Sequence, residues 1–355
     1  MRKLHGPASE ADGPPEIRTG EERLQFSGNP FIMESSEWKS ERVLNDGARP
    51  VEPGRPEAGK GEAMRADGTR YRETTPLVTA IPYIMPKRYD AQNMATENID
   101  EDILKNYIRE KRKEGRLVTH MSVLATAYYK AVLRHPKLNC FIMNRKIYMR
   151  NHFCFSFVIL KKRADGRSDE TVLKVFLEPE DDVFSVSRKI QALIEKNAQQ
   201  THSNSTDKFA SFMFAVPGLA RLLVALVYFA DRHGMLPRKL IDLSPFHTSL
   251  FITNLASINT SFIYHHCYEF GTTSVFLCMG KPVPKMVDGR RAGKLMPLGV
   301  VMDERIATGI EYSRFWATFA RYLKDPRLLE TAEEETPAAP LPAGTPCGTA
   351  VRRSE

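Results

Sequence analysis

The chain has 355 residues, 42% of them hydrophobic, and carries a formal net charge of +8. That is enough to bury a core of one or two domains. Lys and Arg are interspersed with nearly as many Asp and Glu, with no long basic block or aromatic-basic interleaving, which argues against nucleic-acid binding and leaves a basic patch for an anionic small molecule. The five cysteines (Cys140, Cys154, Cys267, Cys278, Cys347) are odd in number and contain no C-x-x-C pair, so neither a disulfide framework nor a metal site is expected. The first residues hold no apolar run of signal-peptide length, and the expected location is the cytoplasm.

Residues 1–68 are rich in Gly, Pro, Glu and Arg without helical or strand periodicity, and residues 331–355 share that character. Such segments cannot bury enough apolar surface to offset their ordering entropy, so both are expected to be disordered. Between them, residues 69–330 read as one domain. The first strong helix is expected over 100–114, with Ile103, Leu104, Tyr107 and Ile108 on one face and Gly115 as its stop. A second begins at Thr119 as N-cap and ends before Pro136. Strands follow at 140–143 and 146–150, joined as a hairpin by Asn144-Arg145, then at 153–161 and 171–177 around a turn at 164–167. Residues 183–196 return to helical spacing, with Lys111-Arg112-Lys113 of the first helix and Asp288-Gly289 read as a solvated helix end and a turn.

The stretch 212–230 is strongly apolar, but Pro217-Gly218 and Arg221 leave it too short to span a bilayer. It reads as a buried or subunit-interface helix, with membrane contact as the lesser alternative. Further strands are expected at 249–255, 273–279 and 295–302, and a final amphipathic helix at 310–323. Interleaved strands and helices place the domain in the α/β or α+β class with a mixed sheet.

Several segments carry a resemblance. Phe251-Ile252-Thr253-Asn254-Leu255-Ala256-Ser257 resembles the F-T-x-S-N-L-G-S strand of the dihydrolipoyl acyltransferase catalytic domain of 2-oxoacid dehydrogenase complexes. Residues 295–329 are similar to that domain's C-terminus, where a strand leads into D-H-R-x-x-D-G, an amphipathic helix and a closing D/N-P-x-x-L-L, here Asp325-Pro326-Arg327-Leu328-Leu329. Pro136-Lys137-Leu138-Asn139 resembles the P-x-L-N end of its early helix. Chloramphenicol acetyltransferase shares the fold, and Ser244-Pro245-Phe246 with Thr248 or Ser249 resembles the segment that supplies its oxyanion-binding serine.

The resemblance implies a two-layer α/β sandwich with a mixed sheet, the coenzyme A-dependent acyltransferase fold, assembled as a homotrimer with its site in a channel between subunits. It also implies an acyl thioester partner, with coenzyme A as substrate; no nucleic-acid partner is expected from the charge pattern, and a membrane partner is not favoured. In the family the motif His takes a proton from the attacking thiol, a neighbouring subunit's hydroxyl stabilises the oxyanion, and the motif's second Asp holds the geometry. On this chain the frame is Asp303, Arg305 and Gly309, with Asn254 on the strand, and the hydroxyl candidates are Thr248, Ser249 and Thr253.

Two motif positions depart from the pattern: Glu304 stands where the catalytic His is expected, and Thr308 stands in place of the second Asp. An ordinary carboxyl and a thiol differ by about four pKa units, roughly 5–6 kcal/mol of uphill proton transfer. The mechanism therefore needs another base or is lost. His265 and His266, in Tyr264-His265-His266-Cys267, are the candidates, and on an extended chain only one of two adjacent side chains faces a given pocket. Neither a lipoyl domain nor a compact partner-recruiting module is evident before the core. The expected function is a stand-alone acyltransferase or, alternatively, a catalytically inactive trimeric binding or scaffold protein.

Overall fold

The computed structural model describes residues 65–73, 75–162, 168–199 and 218–331. Residues 1–64 and 332–355, the turn at 164–167 and the start of the apolar stretch at 212–217 lie outside the described residues; residues 65–68, expected to be disordered, are instead ordered, with Arg65 and Asp67 buried and Gly68 in the first strand. In chain order the elements are β1 (Gly68–Arg70), α1 (Pro76–Ile84), β2 (Gln92–Asp100), α2 (Glu101–Lys113), α3 (His120–Arg134), β3 (Cys140–Met143), β4 (Lys146–Arg150), β5 (Phe153–Lys162), β6 (Ser168–Leu177), α4 (Val183–Gln199), α5 (Leu219–Arg232), α6 (Arg238–Leu243), β7 (Leu250–Asn254), β8 (Val275–Met279), β9 (Val283–Val287), β10 (Arg290–Asp303) and α7 (Gly309–Lys324).

Local chemistry explains the helix boundaries. Asp100 Oδ1 accepts from the N–H groups of Asp102 at 3.1 Å and Ile103 at 3.3 Å, which starts α2. Gly115, at φ +75°, ends it. Thr119 and Ser122 form a reciprocal capping box at the head of α3, at 3.1 Å and 2.9 Å. The β3–β4 hairpin turns through Asn144 and Arg145, both at left-handed φ (49° and 61°), as a two-residue loop matching strand twist requires. Lys111 departs from the solvated end expected of it. It is buried and bridges Glu114 at 3.2 Å and Glu330 at 3.0 Å, fastening α2 to the end of the domain.

The main sheet runs β2-β10-β8-β7-β5-β6, with β9 paired to β10 as a hairpin. β7 lies parallel to both β5 and β8 while the other pairs are antiparallel, so the sheet is mixed, as expected. β1, β4 and β3 form a small second sheet. Alternation along the strands separates two faces. Leu250, Ile252, Val275, Leu277, Leu298, Val300 and Met302 face the helices and join one large core with α3 and α7, where Phe315 packs edge-on against Tyr128 at 4.9 Å. Phe251, Phe276 and Val301 point the other way and form a smaller cluster with Cys267.

That second face is covered by chain with no regular structure, residues 259–274. Glycines make room for it: a Cβ on Gly299 would stand 2.5 Å from the Phe262 ring, and one on Gly280 would stand 2.6 Å from the Phe262 nitrogen. Tyr264 then shares a hydrogen bond of 2.6 Å with Thr96 of β2, and His265 stacks on Phe276 at 4.9 Å.

Of the two readings of α5, buried or subunit-interface helix, burial within one chain is not what the structure has. Its outer row, Leu222, Leu226 and Phe229, is 66%, 59% and 53% exposed, and Asp231 is its only buried residue. Asp231 is drawn inward by Arg65, at 2.7 Å, and His247, at 3.2 Å, so polar anchoring seats this helix and its apolar side is left outward. Among the described residues no helix is long and apolar enough to cross a membrane.

Two partly buried histidines give the domain an acid sensitivity. Burial pushes His135 down to about 4, helped by Arg134 and Arg314, and pushes His152 down to about 3, helped by Arg150 and Arg238. Both bind a proton near pH 6.5 when unfolded but not when folded. The unfolded state therefore takes up more protons between about pH 6.5 and pH 4, and stability falls as pH drops through that window, by at most about 1.4 kcal/mol per pH unit per histidine. Partial exposure reduces this. Urea midpoints at pH 7 and pH 5 should differ, and the double variant His135→Gln, His152→Gln should narrow the gap; an unchanged gap would remove these histidines as its source.

Candidate active site

β10 ends in the turn that the motif resemblance singles out. Asp303 is completely buried, and its carboxylate accepts from Arg305 Nε at 2.8 Å, Arg305 Nη2 at 2.7 Å and the Arg305 backbone N–H at 3.2 Å. Arg88 approaches the same carboxylate at 3.5 Å and is otherwise held by backbone carbonyls of Ile142, Tyr268 and Gly271. Arg305 Nη1 reaches the carbonyl of Met85 at 3.1 Å, tying the turn to the end of α1. Tyr312 closes the arrangement by donating to the Asp303 carbonyl at 2.8 Å. Asp303 and Arg305 thus form a buried, fully bonded frame.

Glu304 follows on this frame. Its N–H donates to the Ala91 carbonyl at 2.9 Å, and its side chain is half-buried. Thr308 is the N-cap of α7: its N–H and Oγ1 both donate to Glu311, at 2.7 Å and 2.8 Å, while Lys137 links Glu311 to Glu73. Gly309 opens the helix with no crowding at its Cα. Burial pushes the Cys267 thiol up to about 12, so it stays protonated near the Asp303 frame.

The strand end at β7 carries a second set. Thr253 Oγ1 and His265 Nε2 share a hydrogen bond of 3.0 Å, with Thr253 buried and His265 half-buried. Burial lowers the His265 pKa, and the neighbouring His266 adds to this, so the ring is neutral at neutral pH. His266 itself is exposed. Asn254 accepts from Ser257 N–H at 3.1 Å and caps the short turn that ends the strand. Thr248 and Ser249 lie deeper: Thr248 Oγ1 donates to the Cys154 carbonyl at 2.9 Å, and Ser249 Oγ accepts from the Cys154 N–H at 3.2 Å. Both hydroxyls are engaged with β5.

Strand register fixes how these groups stand to one another. Phe251, Phe276 and Val301 form one row across β7, β8 and β10; Thr253, Cys278 and Gly299 form the next row on one side. Asp303 lies two residues from Val301 on the opposite side, its N–H donating to the Ser274 carbonyl at 2.9 Å. Thr253 and Asp303 are therefore two strands and four residues apart, about 10 Å across and about 13 Å along, or about 16 Å in all. His265 goes with Thr253, and Glu304 goes with Asp303. Within one chain the two sets do not meet.

Sequence reasoning missed several partners. Arg88, before β2, and Gln92, its first residue, brace the site, Gln92 by donating to the Cys267 carbonyl at 3.1 Å. Another cluster places the fully buried His247 between Ser244 Oγ, 2.8 Å from Nδ1, and Asp231. Burial would raise the Asp231 carboxyl, but His247 and Arg65 overcome it and hold it below its usual range. Ser244 also accepts from the N–H of Phe246 at 3.4 Å, so it caps its own turn, and the S-P-F-H spacing was the signal available. Among the described residues no group of His, Cys, Asp and Glu is arranged to hold a metal ion.

No protein-family model matches the chain, and no curated protein matches it. Among solved structures it is similar to a probable dihydrolipoamide acetyltransferase from Listeria monocytogenes, at 15% identity and TM-score 0.46, over 76% of this chain and 99% of that one. It is also similar to the cubic core of the pyruvate dehydrogenase multienzyme complex, at 14% identity and TM-score 0.45, over 73% and 94%. A chloramphenicol acetyltransferase matches at 12% identity and TM-score 0.44, over 72% and 100%.

Proposed function

We propose that this chain is an acyltransferase that moves an acyl group from a coenzyme A thioester to an acceptor nucleophile, and that it works as a homotrimer. The observation that carries this reading is the Thr253–His265 hydrogen bond, 3.0 Å, on the strand that resembles the family's F-T-x-S-N-L-G-S segment. With Nε2–H donating to Thr253, the threonine hydroxyl is left to donate to a developing oxyanion and Nδ1 is left to accept the nucleophile's proton. The imidazolium so formed then gives that proton to the departing coenzyme A thiolate, which returns the ring to its neutral form. Its pKa, lowered mainly by burial, leaves His265 in the form that accepts a proton.

A second copy enters the proposal through the separation derived above. Asp303, next to Glu304, and Thr253 lie about 16 Å apart on one sheet face, so a site that uses both Glu304 and Thr253 is completed only across a subunit boundary. There Glu304 would stabilise the imidazolium formed during transfer, in place of acting as the base. The exposed row on α5 supplies an apolar surface that assembly would cover.

The test is turnover of short acyl-CoAs with a chromogenic thiol or amine acceptor, alongside calorimetric titration with coenzyme A. His265→Ala should lower kcat by about 100-fold or more with coenzyme A affinity little changed. Equal turnover in the variant would remove His265 as the base, and no binding of coenzyme A at about millimolar concentration would remove the enzymatic reading altogether. A second reading, a catalytically inactive trimeric binding protein, is favoured by one observation: the turn keeps its Asp303–Arg305 frame while carrying Glu304 at the reactive position.

A further inference from the structure

A cleft of ≈ 350 Å³ opens on the other side of α1, between the segment following β1 and the tip of the β3–β4 hairpin. Its walls bring together Arg70, Arg145 and Lys146 with the rings of Tyr71 and Tyr83; a fourth lining cation, Arg72, has a partner of its own. The volume falls within the range of small-molecule sites. These three cations come from two separate strands and a turn, and among the described residues none of them is ion-paired to a carboxylate. Such convergence is electrostatically costly when nothing compensates it. Among the described lining residues Glu73 is the one carboxylate, and it holds Lys137 at 2.6 Å.

The walls are also fixed in place. Arg145 sits at left-handed φ in a two-residue turn and lies over the Tyr83 ring at 5.8 Å, which holds the guanidinium beside an aromatic face. α1 is tied to the buried frame by the Arg305 bond to the Met85 carbonyl, and β3 is tied to it by the Arg88 bond to the Ile142 carbonyl, 3.0 Å. Both sides of the cleft are therefore anchored to the same rigid cluster.

We propose that this cleft binds a small ligand carrying a phosphate group next to an aromatic or other flat ring, the phosphate taken by Arg70, Arg145 and Lys146 and the ring lying along Tyr83. A guanidinium pair suits the fork of phosphate oxygens, and the tyrosine offers an apolar flank for the rest of the molecule. The proposal does not depend on acyl transfer, since none of these residues belongs to the Thr253–His265 or Asp303 sets.

Phenyl phosphate is the probe, titrated calorimetrically into the full-length chain at low ionic strength. Saturable one-site binding is expected, and the double variant Arg145→Asn, Lys146→Gln should weaken it by about tenfold or more while thermal unfolding stays unchanged. Asn is used at 145 because it tolerates the left-handed turn. Arg70→Gln, on the neighbouring strand β1, should weaken binding in the same direction. Absence of saturable binding at about 10 mM, or equal affinity in wild type and the double variant, overturns the proposal.

Discussion

Asp303→Asn is expected to lower the free energy of unfolding by about 3–5 kcal/mol, the cost typical of breaking a buried ion pair from one side. The substitution preserves shape and two hydrogen-bonding atoms, so little of the loss comes from packing. What changes is charge: Arg305 keeps its bond to the Met85 carbonyl and Arg88 keeps its three backbone carbonyls, but both guanidiniums are left in a buried site without their carboxylate. The amide also places an N–H₂ toward donors that need acceptors. Urea unfolding followed by circular dichroism measures the loss. A drop below about 1 kcal/mol would mean that the pair is solvated and does not frame the turn. The double variant Asp303→Asn, Arg305→Met should recover part of the loss, because a removed partner is less costly than an abandoned one.

How much of this was legible beforehand depends on whether the signal is local. The ends of α2 and α3 were read from Asp100, Gly115 and Thr119, because caps act within three or four residues. Asn144-Arg145 announced its hairpin for the same reason. β2 was not read: of its nine residues only Ile99 is buried, so an edge strand paired to β10 left no hydrophobic alternation to find. α5 was read as a buried or subunit-interface helix, and within one chain it is not buried. Hydropathy reports what favours cover and is silent on what supplies it, and here the anchor is the single polar residue Asp231. The frame of the candidate site was legible as Asp303, Arg305 and Gly309 because it is contiguous. The pairing of Thr253 with His265 was not, since it is set by how irregular chain crosses a sheet face, and no periodicity encodes that.

That crossing depends on one glycine, and Gly271→Ala is expected to destabilise the domain by about 4 kcal/mol or more. Gly271 has φ +84°, where an L side chain costs about 1–2 kcal/mol on its own. The larger part is steric: an added Cβ would overlap the Phe246 carbonyl, with its carbon only 2.7 Å away. The backbone cannot retreat cheaply, because that carbonyl already accepts from Thr272 N–H at 2.9 Å and Thr273 Oγ1 at 2.8 Å, and the Gly271 carbonyl accepts from Arg88 at 3.1 Å. Relief of the clash breaks bonds worth about 1 kcal/mol each and loosens the stretch that carries His265. Gly115→Ala is the matching control, with φ +75° and nothing within 4 Å of the added carbon, so it pays the conformational cost alone, about 1–2 kcal/mol. Urea midpoints of the two variants separate the terms. If Gly271→Ala loses no more than Gly115→Ala, residues 259–274 can move away from the sheet, and the Thr253–His265 pair is not held in a fixed geometry.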